Sequence, residues 1–60
     1  MITGHTMKDI AQLTRRAKQE VKDFMVKNWD KMKDKDENWA KELIDAICED
    51  NLETVKKLFE

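Results

Sequence analysis

Apolar positions in the first half of the chain recur at helical spacing. Ile10, Leu13, Ala17, Val21, Phe24 and Met32 are separated by three, four, four, three and eight residues. At 100° per residue they fall within an arc of about 100°, the stripe of a helix with one buried face. No stretch alternates apolar and polar residues for long, so strands are not expected. The pattern predicts one long helix over about 7–31, its far end poorly marked between Trp29 and Met32. Thr6 with Asp9 three residues later resembles a capping box for its start, Asp being the shorter substitute for Glu.

The run "DKMKDKDEN" follows, with a single apolar residue. Mixed charges of this kind form a solvated face or a linker, and with no glycine or proline the run could equally stay helical and fuse the helices on either side. Asp36 as N-cap and Glu37 in the next turn predict a second helix over about 37–49. Its apolar set, Trp39, Ala40, Leu43, Ile44, Ala46, Ile47 and Cys48, spreads over about 200° of the wheel. An arc that wide needs cover on two sides. A third helix over about 52–60 is capped by Asp50 with Glu53 or by Asn51 with Thr54. Its stripe is Leu52, Val55, Leu58 and Phe59, and at nine or so residues it exists only when docked. The expected fold is all-α: a small three-helix domain of one long helix and a helical hairpin. Leu43, Ile47, Leu52, Val55 and Phe59 are expected to build the hairpin core.

Composition supports that class. The chain has 60 residues, no proline, serine or tyrosine, and only Gly4 as glycine. Residues 1–6 are expected to be a flexible N-terminus or a cloning scar, and 7–60 a single helical domain. A domain this small is marginally stable unless a disulfide, a metal or association helps. Cys48 is the only cysteine, which rules out an internal disulfide and fits a reducing, cytoplasmic setting. No apolar run approaches the roughly 20 residues of a membrane span.

The segment "ELIDAICEDNLETVKKLFE" resembles the helix-turn-helix core of an ankyrin repeat. Leu43, Ala46, Leu52, Glu53, Val55, Leu58 and Phe59 stand in the places of that family's helix-pair pattern. The segment is most similar to an N-terminal capping repeat, with charged residues in place of the Thr-Pro-Leu-His start. Asp50 stands where the family prefers a turn glycine. The resemblance covers residues 41–60 only, a truncated unit. It implies a module that binds other proteins and performs no chemistry.

Catalysis finds little support in the residues themselves. There is no serine, and His5 and Cys48 are far apart in the chain, so nucleophile–base pairs are scarcely available. No metal-ligand spacing and no glycine-rich phosphate loop occur, and no cofactor is expected. Charge is unevenly placed. Residues 8–35 hold nine Lys and Arg against five Asp and Glu, a net of +4. Residues 36–60 hold three against eight, a net of −5. Arg15, Arg16, Lys18 and Lys22 are therefore candidate nucleic-acid contacts. The overall charge of −1 argues against that use. The favoured expectation is a non-catalytic protein–protein interaction or scaffold module that self-associates as a homo-oligomer. Trp29, Ile44, Cys48 and Leu58 are its candidate interface residues. The alternative is a small helical nucleic-acid-binding regulator.

Overall fold

The computed structural model describes residues 1–60 and is entirely helical. Its α-helices are α1 (Gly4–Arg16), α2 (Gln19–Lys27), α3 (Glu37–Cys48) and α4 (Leu52–Leu58). A 3₁₀ helix, Trp29–Asp34, joins α2 to α3. The all-α class and the α3–α4 hairpin are as the periodicity predicts. Asp36 caps α3 by accepting from the Trp39 N–H at 2.9 Å, and Asn51 caps α4 by accepting from Thr54 N–H at 3.2 Å.

The single long helix over 7–31 is corrected in three places. The start lies at Gly4, with Thr3 as N-cap accepting from the Thr6 N–H. Thr6, expected as the cap, is instead a buried residue inside α1. At the middle, Ala17 and Lys18 are both extended (ψ 166° and 154°), and the chain doubles back. Dimensions explain why. A continuous helix over 7–31 would be about 37 Å long, whereas the longest extent of the molecule is 26 Å. Folding the helix lets Ile10 and Thr14 on α1, and Val21 and Met25 on α2, reach one core. Lys18 N–H, which a helix would bond to Thr14, is satisfied by Asp50 Oδ1 at 3.1 Å. At the far end, Asn28 turns its side-chain amide onto the Phe24 carbonyl at 2.9 Å, ending α2. The charged run beyond it is not merely a solvated linker, because Met32 is 1% exposed and plugs the core.

Two end contacts fix the directions of the helices. Thr3 N–H donates to Glu37 at 3.1 Å where α1 and α3 begin, and Lys18 meets Asp50 where they end. The two helices are therefore parallel neighbours. α2 and α4 are also parallel, since both begin near that Lys18–Asp50 pair and end where Phe24 meets Phe59, ring centroids 5.4 Å apart. The molecule is thus two helical hairpins, α1–α2 and α3–α4, stacked in the same orientation.

The stacking carries an internal repeat. Thr3 and Asp36 are the caps of the first helices, and Lys18 and Asn51 of the second, each pair 33 residues apart. Buried positions repeat with the caps: Ile10 with Leu43 and Thr14 with Ile47 at 33, Val21 with Val55 and Met25 with Phe59 at 34. The sequences of the two hairpins share few residues. What repeats is the spacing of the caps and of these buried positions.

Candidate functional site

α3 has the two-sided cover that its wide apolar arc demands, α1 on one flank and α4 on the other. Leu43, Ala40 and Ile47 are at most 2% exposed between them. Of the rest of that arc, Ala46 is buried, Trp39 and Ile44 are half-buried and Cys48 is exposed. Leu43, Ile47, Val55 and Phe59 are buried as expected, while Leu52 is half-buried at the α2–α4 groove.

The four expected interface residues do not form one patch. Ile44 is half-buried between α1 and α3, in a groove with Asp9, Gln12, Leu13 and Arg16. Leu58 lines a different groove, between α3 and α4, with Glu42, Asp45, Ala46, Glu49, Asn51 and Thr54. Cys48 is exposed at the end of α3. Trp29 is half-buried in a third groove, of about 410 Å³, with Met1, Ile2, Met7, Met32 and Lys33. Five of the six residues lining that groove are hydrophobic. Met25, one turn before Trp29 in the chain, is fully buried.

The candidate nucleic-acid contacts diverge as well. Arg15 and Arg16 are exposed on the last turn of α1, with Arg16 in the Ile44 groove. Lys18 is exposed at the α1–α2 break, and Lys22 is half-buried along α2 beside the groove that holds Lys27 and Lys56. The chain has 12 Lys and Arg and 13 Asp and Glu. Yet no lysine or arginine lies within 4.0 Å of a carboxylate, and the one basic–acidic side-chain contact is His5 to Asp9 at 3.9 Å.

Two polar connections tie the hairpins together, and the sequence does not announce either. The Glu37 carboxylate accepts from the Thr3 N–H at 3.1 Å and from the Thr6 and Thr3 hydroxyls at 2.7 and 3.4 Å. The Thr6 hydroxyl, then the Thr3 N–H, hold its pKa below the ordinary 4.5. Glu37 also stands in the first turn of α3, where the helix dipole favours a negative charge. At the opposite end, Asp50 has φ 52° and accepts from Lys18 N–H. Trp39 adds a third tie within the second hairpin, donating from Nε1 to the Leu58 carbonyl at 2.7 Å. No three His, Cys, Asp or Glu side chains converge in a way that would hold a metal ion. No helix is long and apolar enough to cross a membrane.

Comparison with known proteins gives no relative: no family model, no curated protein and no solved structure matches the chain.

Proposed function

We propose that this chain is a non-catalytic protein–protein interaction or scaffold module, acting inside the cell, whose more specific form is the N-terminal part of an ankyrin-type array. The observation that carries this reading is the repeat of caps at 33 residues and of buried positions at 33 or 34. A hairpin that stacks once in a fixed orientation leaves one side of the same joint unpaired at each end of the stack. The turn of the second hairpin adds support. Asp50 occupies a left-handed conformation at the position where the resembling family prefers glycine.

The test is an enlarged chain in which residues 28–60 are repeated after Glu60. In a stackable module the third hairpin docks on the second. Urea unfolding then remains one transition, with a higher midpoint and an m-value larger by about half, since m follows the surface exposed. Two separate transitions, or an unchanged midpoint, would contradict the reading. The nucleic-acid alternative rests on the unpaired cations. Retention on a DNA column at low salt, lost in the Arg15→Gln/Lys22→Gln variant, would favour it instead.

A further inference from the structure

Shifting the internal joint by one repeat shows what the two open ends of the molecule present. On α1, the residues turned to α3 are Asp9, Gln12, Leu13 and Arg16, and Ile44 of α3 sits among them. The positions 33 later are Glu42, Asp45, Ala46 and Glu49, which line the groove shared with Asn51, Thr54 and Leu58 of the α4 side; the three carboxylates are exposed and Ala46 is buried. Ile44 lies between Lys41 and Cys48 on its face of α3; the positions 33 earlier are Lys8, Ala11 and Arg15. Lys8 and Arg15 are exposed, and on the wheel this face of α1 is turned away from α3. One end of the molecule thus carries three exposed carboxylates, and the other carries two exposed cations around the half-buried Ala11.

From these matched ends we propose that the chain stacks head to tail on further copies of itself, the Glu42–Asp45–Glu49 face of one copy on the Lys8–Arg15 face of the next. The inference rests on the reading of the chain as a stacking module and adds the partner. If the intermolecular joint copies the internal one, Ala11 takes the place of Ile44 and lies against Ala46. Lys8 then faces Glu42 and Asp45, and Arg15 faces Asp45 and Glu49. Like-with-like pairing of either end is opposed by its own charge. No lysine or arginine of these faces is neutralised within its own chain. Such a contact uses a different surface on each partner, so it leaves a free face at both ends and extends as a filament. With alanines in place of the larger residues of the internal joint, the attraction is mainly electrostatic and falls with salt.

Sedimentation velocity on the full chain tests this. The expected result is a concentration-dependent series of oligomers at low salt. The association constant falls by roughly tenfold or more as ionic strength rises toward about 1 M, where the screening length is about 3 Å. Two variants separate the ends: Lys8→Gln/Arg15→Gln and Glu42→Gln/Asp45→Asn/Glu49→Gln. Each alone is expected to sediment as a monomer, and their mixture as a 1:1 dimer that grows no further. All substituted residues are at the surface, and circular dichroism checks that each variant remains helical. A wild-type chain that is monomeric at low salt and millimolar concentration overturns the proposal, as does a mixture no larger than its parts. If the enlarged three-hairpin chain nevertheless unfolds as one unit, the stacking-module reading stands and only self-assembly falls.

Discussion

The turn between α3 and α4 requires a left-handed residue, and the α1–α2 break requires an acceptor at the same place. Asp50 meets both requirements. It is the C′ residue of a Schellman turn, with Asn51 N–H on the Ala46 carbonyl and Asp50 N–H on that of Ile47, both at 3.0 Å. Its carboxylate takes the Lys18 N–H that the broken helix leaves free. Asp50→Asn keeps both features and is expected to change stability little. Asp50→Gly relieves the backbone but loses the acceptor, and Asp50→Ala loses both, at a cost of about 2 kcal/mol. Thermal unfolding of the three variants gives the order Asn, Gly, Ala from most to least stable. Glu37 governs the opposite end. Its pKa is lowered in the folded state, so its stabilisation is full above the unfolded value and is lost as pH falls through the folded one. The stability gap between wild type and Glu37→Gln is therefore expected to be widest near neutrality and to close below about pH 4.5. A gap that stays constant to low pH would contradict the Glu37–threonine clamp.

Single elements here are too short to stand alone. α4 has seven residues, below the length at which a helix persists in water. Docking holds it: Phe59 meets Phe24 and Trp39 edge-on, at centroid distances of 5.4 and 5.0 Å. Phe59→Ala is expected to cost about 3–5 kcal/mol, a large share of the roughly 3–9 kcal/mol available to a chain of this size. Loss of most helical circular dichroism at 25 °C is the expected readout, and a fully helical variant would contradict it. Element existence was largely legible in the sequence. The caps Asp36 and Asn51 and the α3 and α4 stripes stand where the pattern places them. The break at Ala17–Lys18 was not legible, because no glycine or proline marks it and the apolar stripe runs through in phase. Its supports lie across the fold, in the shared core and in the Asp50 carboxylate that takes the Lys18 N–H. The 3₁₀ turn was hidden for a similar reason, since one methionine among charges carries no period. The repeat was hidden because cap identity and most residue types differ between copies, and because the spacing of its buried positions slips from 33 in the first helices to 34 in the second. For the site, the sequence located residues of apolar or basic character but not their grouping. Trp29, Ile44 and Leu58 share a character and lie in three different grooves.

At the scale of the whole molecule, both the fold and the proposed function depend on one geometric statement: the second hairpin repeats the first, in register and in the same direction. Equivalent exposed positions offer a direct check. His5 and Asn38 are 33 residues apart at the starts of α1 and α3, and Arg15 and Cys48 are 33 apart near their ends, all four exposed. Neighbouring helix axes lie about 8–10 Å apart, and ten helical residues rise about 15 Å. Spin labels at these sites, placed on introduced cysteines with Cys48→Ser wherever position 48 is not labelled, give four distances by electron paramagnetic resonance. The predicted result is that the in-register pairs, 5 with 38 and 15 with 48, are similar to each other and shorter than the crossed pairs, 5 with 48 and 15 with 38. Crossed pairs as short as or shorter than the in-register pairs would contradict parallel stacking, and with it the account of this chain as a repeating module.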